Sequence, residues 1–398
     1  MRVLISGASI AGPVLAYWLT RRGFDVTVVE RAPALRKTGG HAIDLFRPAM
    51  EIAEQMGVLP RIEERTTGTT RIAVSRAGSA RTVDLDYLKL QRIISDRHVE
   101  IMRDDLSQIF YDAARDDVEY VFGDEITAIG DDGDVTFANG APRSFDVVVG
   151  ADGLHSGVRQ LVFGPDAGHT RFLGGYLAVL SVPKSLAREG ELTSVVDVGK
   201  QAMLYTADHL DDARAVFIFR RPTPLEYHHR DHAAQRRLLR EEFAGMSPTV
   251  DRWLAELDGP GSFYFDSITQ LELSTWSRGR VTLVGDAGYC PGPAVGGSTS
   301  LAVLGAYVLA GELERSGGDH VAAFAGYERV MAEPVAHSRA LAATVAKTLI
   351  PSSSLGVWAL IAVGRTISLL PQRLTSSVAN LNDNGIRLYD SMRSPTYP

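Results

Sequence analysis

Short apolar runs and amphipathic stretches alternate from the first residues of the chain. Arg2–Ser6 carries an apolar run that predicts a buried strand. Over Ala11–Arg22, Leu15, Ala16 and Leu19 fall at helical spacing, and Gly23 is placed to end that helix. Asp25–Glu30 returns to a strand pattern. Strand, tight turn, helix and strand in succession predict a βαβ opening, and hence a parallel sheet.

Further along, Pro48–Met56 predicts a helix closed by Gly57, and residues 67–90 alternate as hairpin strands do. Asp104–Ala114 reads as helix. Val118–Phe122, Ile126–Ile129 and Val135–Phe137 read as short strands punctuated by Asp132-Gly133 and Asn139-Gly140. Phe145–Gly150 has the run of a buried strand. Tyr176–Val182, Thr193–Val198, Ala202–Thr206 and Ala213–Arg220 predict a second sheet, followed by a charged helix over Asp231–Phe243. Arg280–Val284 is again a short buried strand; Leu301–Arg315, Val321–Val330 and much of 335–390 read as helix. Parallel-sheet signals at 1–30, 145–153 and 280–315 bracket the antiparallel ones. One nucleotide-binding domain built from separated pieces, with a β-rich domain inserted, is the expected organisation.

Composition narrows the function classes. The 398 residues are 45% hydrophobic and 22% charged, enough for two or three cores. The net charge of −7 argues against nucleic acid as the main partner. The one cysteine, Cys290, rules out a disulfide framework and any metal site built on several thiolates, and reads as a small packed residue. The N-terminus runs straight into a strand, so no signal peptide is expected and the cytoplasm is the expected location. Leu355–Leu370 is apolar, but Arg365 interrupts it and Pro351 and Pro371 bracket it. It predicts a helix packed on the body of the protein, without stable membrane insertion, and residues from about 335 to 390 are expected to include a long helix packed across both domains.

The turn between the first strand and helix, Gly7-Ala8-Ser9-Ile10-Ala11-Gly12, matches G-x-G-x-x-G except for Ser9. Gly7 permits the tight turn and Gly12 lets helix and strand approach, which aims the helix N-terminus at a pyrophosphate. Glu30, ending the second strand, stands where a ribose-binding acid belongs and favours FAD or NAD over NADP as the tightly bound dinucleotide.

Two later segments carry a family resemblance. Asp146-Val-Val-Val-Gly-Ala-Asp152-Gly153-Leu-His-Ser156-Gly-Val-Arg159 resembles the Asp-Gly motif of FAD-dependent aromatic hydroxylases, the para-hydroxybenzoate hydroxylase group of flavoprotein monooxygenases. Arg280-Val-Thr-Leu-Val-Gly285-Asp286-Ala287 resembles their Gly-Asp motif, and Ile101-Met-Arg103-Asp-Asp-Leu106 their Arg-x-x-Leu helix start. Gly39-Gly40-His41-Ala-Ile43-Asp44-Leu45 resembles a segment of the tetracycline-inactivating branch. The resemblance implies an α/β fold: a discontinuous Rossmann-like FAD-binding domain (1–70, 91–165, 276–335), an inserted, mainly antiparallel β-sheet substrate domain (71–90, 166–275), and a C-terminal helical segment (336–398). It implies cofactor contacts from Gly7, Ser9, Ile10, Ala11, Gly12, Glu30, Arg31, Asp44, Arg103, Asp152, Gly153, Gly285, Asp286, Pro293, Gly296 and Gly297. Tyr205, Phe217 and Phe219 read first as core or lining of the second sheet, and are the candidate substrate contacts. Three departures stand out. Gly288 and Tyr289 replace the usual Ala-His, Ser298 replaces a glycine, and Gly305-Ala306 replaces Asp-Ala.

What the resemblance implies chemically is a monooxygenase using FAD, with NADPH or NADH as transient reductant. O₂ adds at flavin C4a, and the hydroperoxide hydroxylates an aromatic or polycyclic small molecule. No second dinucleotide turn and no catalytic base is readable. A flavin reductase or dehydrogenase on the same fold, or a non-catalytic FAD-binding protein, are the alternatives.

Overall fold

A computed structural model of the chain describes residues 1–35, 39–95, 97–228, 231–293, 297–348, 350–371 and 392–397. The opening strand Arg2–Ser6 lies inside a six-stranded sheet. It pairs in parallel with Asp25–Glu30 on one side and Val147–Gly150 on the other. Glu119–Phe122 and Val281–Leu283 extend the sheet in parallel at either end, and Ser277–Arg278 closes one edge antiparallel. Val3, Leu4 and Ile5 are fully buried, as continuous apolar runs in a parallel sheet covered on both faces must be. The helix Ala11–Arg21 packs on this sheet, and the helix Ser298–Arg315 packs on that helix.

The second sheet has seven strands, in the order Phe263–Leu271, Thr170–Pro183, Asp212–Arg220, Lys200–Tyr205, Glu191–Asp197, Arg71–Arg76 and Thr82–Asp86. All neighbours run antiparallel except Glu191–Asp197 with Arg71–Arg76. Its two faces differ in what they cover. Tyr176, Ala202, Leu204, Phe217, Phe219 and Phe265 pack beneath the helices His232–Phe243 and Pro248–Leu254, against Phe243 and Trp253. Leu177, Val179, Tyr205, Val216 and Ile218 point the other way, toward Met102, Ala342 and Ala346. The period of two across a strand separates the sets.

Several elements escaped the pattern reading. Ala42–Phe46 and His98–Met102 form a two-stranded antiparallel pair between the two sheets. The stretch 67–90 forms its hairpin only as far as Asp86, and the helix Tyr87–Ile94 replaces its last residues, begun by the Asp86 side chain accepting from Lys89 N; the helix Pro248–Leu254 and the strand Phe263–Leu271 were also unread. The helix expected over Val321–Val330 runs on from His320 to Thr348 through Pro334. Proline removes one backbone bond there, but buried Met331, Val335 and Ala342 fasten the helix on both sides of it. This long helix packs on Ser298–Arg315 and on the Thr170–Pro183 strand, so it touches both sheets' layers.

The apolar segment near the end forms the helix Ser354–Leu369, capped by the Ser353 hydroxyl accepting from Gly356 N at 3.1 Å. It lies on the Thr82–Asp86 strand and the Tyr87–Ile94 helix, while the helix that touches both layers is the His320–Thr348 one before it. Val357 is fully buried against Val74, Leu85 and Val196, and Gly364 sits where a Cβ would meet Leu85 at 2.9 Å. Leu355, Trp358, Val363 and Leu369 face outward. Among the described residues no helix is long and apolar enough to cross a membrane. The expected helix beyond residue 371 falls on residues 372–391, outside those described. Val357→Ala should cost about 1–3 kcal/mol, read from denaturant unfolding. Truncation after residue 350, which uncovers the whole face, should lower the thermal midpoint further.

Candidate functional site

A groove of about 690 Å³ opens at the carboxyl ends of the parallel strands. That is where open α/β sheets place their ligands. It runs from Glu30 and Arg31, past Gly7, Ala8 and Ser9, along Ala151–Gly153 and Arg103, to Gly39, Gly40 and Tyr264.

The turn at its floor is built by contact distances. Gly7 has φ +108, and a Cβ on it would meet the Ala151 carbonyl oxygen at 2.5 Å. A Cβ on Gly12 would meet the Gly7 carbonyl oxygen at 1.9 Å. Neither position admits a side chain, so strand, turn and helix are in direct backbone contact. The helix starts at Ala11, behind Ile10, with no side-chain cap on its first amides. Ser9, in place of the middle glycine, turns its hydroxyl toward Arg103, which donates from Nη2 at 3.4 Å. Its carbonyl accepts from the Ser107 hydroxyl at 2.9 Å. The serine therefore joins the turn to the Arg103–Ala114 helix. Glu30 accepts from Ala8 N at 3.0 Å and Ala32 N at 2.8 Å, which fixes its carboxylate at the wall of the groove. Uncapped amides, a turn admitting only glycine and a fixed terminal carboxylate are the donor and acceptor set a dinucleotide requires, so FAD fits these residues.

Asp152 follows the parallel strand Val147–Gly150. Its carboxylate accepts from the Ser156 hydroxyl and from Val158 N at 3.2 Å; burial pushes its pKa up and these bonds oppose the shift. Gly153 follows at φ +82. Arg159, on the next helix, is fully buried. It donates to Ala287 O at 2.9 Å and to Asp166 Oδ1 at 2.8 Å, and so reaches from the Asp-Gly segment into the Gly-Asp segment. Gly285 has φ +66 and faces Ala302 and Ala11. Asp286 is pushed up by burial; the Arg103 guanidinium and the Cys290 thiol pull it back down. Burial holds the Cys290 thiol well above its ordinary range, so it stays protonated and unreactive, as a packed residue should. Pro293 and Gly297 flank the loop before the Ser298–Arg315 helix, Gly297 with φ +79 as its N-cap. Gly296 lies outside the described residues. Asp44 is not part of the groove wall; it stands on the central strand pair, toward the second sheet.

Two of the departures from the family pattern are one change. The Tyr289 hydroxyl lies 2.9 Å from that of Tyr327, which donates to Leu283 O at 3.0 Å. A Cβ on Gly305 would meet the Tyr289 hydroxyl at 1.9 Å. The tyrosine occupies the space that a side chain on the following helix would fill.

The substrate candidates divide. Tyr205 faces the cofactor side and accepts from Ala42 N at 2.6 Å. Phe217 and Phe219 do not: they are fully buried on the far face, edge-on to Phe243. Tyr205 pairs with Arg214, an even-numbered residue of its strand, so the odd-numbered phenylalanines fall on the opposite side. Sequence reasoning missed Tyr264, which reaches the groove from an unread strand, and His155. His155 Nε2 lies 2.8 Å from Asp266 Oδ2, a contact that raises its pKa against the effect of burial. His41 is pushed down to about 4 by burial, then by Arg103, and is neutral.

Glu30→Ala should weaken FAD by about 1–3 kcal/mol, measured by equilibrium dialysis, because a charge-assisted bond is lost. Gly305→Ala should destabilise the fold by about 1–3 kcal/mol through overpacking. In a Tyr289→Phe background most of that penalty should disappear; an unchanged penalty in the double mutant would separate the two positions.

Comparison with known proteins agrees with this geometry. Residues 1–316 match the model of the FAD binding domain family. A flavin-dependent monooxygenase of an unknown prokaryotic organism is 36% identical over 367 residues, covering 89% of this chain and 91% of its own. A flavin-dependent monooxygenase of Legionella longbeachae is 34% identical, covering 83% of this chain and 85% of its own. Among solved structures, the tetracycline destructase Tet(51) superposes with a TM-score of 0.83 at 30% identity, over 100% of this chain and 99% of its own. Klebsiella pneumoniae HpxO, complexed with FAD and uric acid, gives 0.71 at 26%, with 97% of each chain covered. The chain belongs to the FAD binding domain family and is an FAD-dependent monooxygenase of the aromatic-hydroxylase group.

Proposed function

We propose that this chain takes electrons from NADPH or NADH into bound FAD and hydroxylates an aromatic or polycyclic small molecule with O₂. The observation that carries the reading is the meeting of two surfaces. The groove with the dinucleotide donor set ends at Gly40, Phe263 and Tyr264, where the edge strand of the second sheet, apolar on that side, meets it. An apolar wall with a few polar groups suits a flat aromatic body. Relatives of this shape include a protein named for tetracycline and one complexed with uric acid, both ring compounds.

Bound FAD supplies the redox and oxygen-activating chemistry, and the chain supplies position and exclusion of water. The uncapped amides of the Ala11–Arg21 helix and Glu30 hold the adenosine diphosphate end. Arg103 adds positive charge between Ser9 and Asp286. Arg214 donates from Nε to Gly40 O at 2.9 Å, and the His209 ring bonds Asp105 at 2.7 Å. These contacts seat the substrate sheet on the start of the Arg103–Ala114 helix and keep the chamber dry.

The test is direct. The purified protein should be yellow, NADPH or NADH should bleach it without oxygen, and air should restore the colour. A panel of ring compounds including tetracycline and uric acid should yield a product heavier by one oxygen. Bleaching and recovery with hydrogen peroxide alone, across the whole panel, would favour a reductase instead.

A further inference from the structure

The central strand pair brings two carboxyls side by side. Asp44 and Glu100 are directly opposed in its antiparallel register, between the pairs Ala42–Met102 and Phe46–His98. Directly opposite residues of such a pair share one face, with their Cβ atoms about 5 Å apart. That face meets the cofactor side of the second sheet, where Met102 packs against Leu177 and Val216 and Ala42 bonds Tyr205.

The two carboxyls are treated differently. Glu100 accepts from the Tyr87 hydroxyl at 2.6 Å and from the Thr67 hydroxyl, and Gln91 in turn donates to Tyr87. Asp44 receives no such donor: its Oδ1 is buried without a hydrogen-bond partner. No Lys, Arg or His among the described residues forms an ion pair with either. The titratable groups facing the pair are Tyr87 from its helix, Tyr205 from the sheet with Arg214 beyond it, and His98 along the strand.

Two carboxyls this close, with no cation, hold one proton between them rather than two charges. The donors decide which keeps it. Glu100, with two hydroxyls donating to it, carries the charge; Asp44, with none, carries the proton. Burial first, and then Glu100, push Asp44 up to about 7, while Glu100 is itself raised by burial and lowered by Thr67 and Tyr87.

We propose that Asp44 is a neutral carboxylic acid that donates a hydrogen bond into the chamber between flavin and substrate, and that Glu100, held by Tyr87 and Thr67, is the positioning residue that keeps it protonated. The acceptor is a carbonyl oxygen or ring nitrogen, supplied by the flavin or by the substrate. The inference rests on the proposed function only for that acceptor.

Infrared difference spectra of the FAD-loaded full chain, taken across about pH 5 to 9, test it. One protonated-carboxyl band should vanish with a midpoint near neutrality. Asp44→Asn should abolish the band. Glu100→Gln should lower the midpoint by about one pH unit or more, because the neighbouring charge is gone. Tyr87→Phe should raise it, because Glu100 loses a donor; a merely structural role would not give shifts of opposite sign. Movement of the band to lower frequency when FAD is loaded identifies the flavin as acceptor. Movement only on adding tetracycline identifies the substrate. A band insensitive to both overturns the donation, and a wild-type protein with no titrating band overturns the shared proton. A protein that bleaches with NADPH but lacks the band retains its proposed function and loses this inference.

Discussion

The buried guanidinium of Arg159 is the constraint on which the assembly of the cofactor domain turns. Its segment and the Gly285–Ala287 segment are far apart in sequence, and five of the second sheet's seven strands intervene between them. Arg159 closes that gap by donating to Ala287 O while its charge is answered by Asp166. A fully buried charge stripped of its partner costs about 3–5 kcal/mol, so the insertion must return the chain to the same place for the domain to close. The parallel pairing of Val147–Gly150 with Val281–Leu283 is the backbone counterpart of that closure.

The second sheet is attached through its polar rim. Arg214 reaches Gly40, His209 reaches Asp105, and Tyr205 reaches Ala42, all from neighbouring parts of the second sheet onto the start of the Ala42–Phe46 strand and of the Arg103–Ala114 helix. Gly40 is itself held by Asp104, whose carboxylate accepts from its amide at 2.9 Å. The apolar face between these contacts is thus positioned by hydrogen bonds at its edge, which have direction, rather than by burial alone, which has none.

Much of the cofactor half was legible in the sequence because local rules dominate it. The turn at Gly7–Gly12 needs glycine for steric reasons that act within a few residues, and the strands on either side are continuous apolar runs. The strand pair Ala42–Phe46 and His98–Met102 was not legible. Its partners lie far apart in sequence, and Asp44 and Glu100 interrupt the apolar pattern at the middle of each strand. The assignment of Phe217 and Phe219 to the substrate failed for a different reason. Alternation shows that two residues share a face, but only pairing with Lys200–Tyr205 shows which face that is. Tyr264 was missed because its strand is flanked by polar residues and carries Asp266 and Gln270 in its interior.

The contact between Tyr289 and Gly305 makes two distant positions share one volume. A side chain on the helix at position 305 would meet the tyrosine hydroxyl well inside van der Waals range. A smaller residue at position 289 would instead leave a void beside the helix. Each position therefore limits which residues the other accepts, and the short helix Asp286–Tyr289 and the helix Ser298–Arg315 are coupled through that contact.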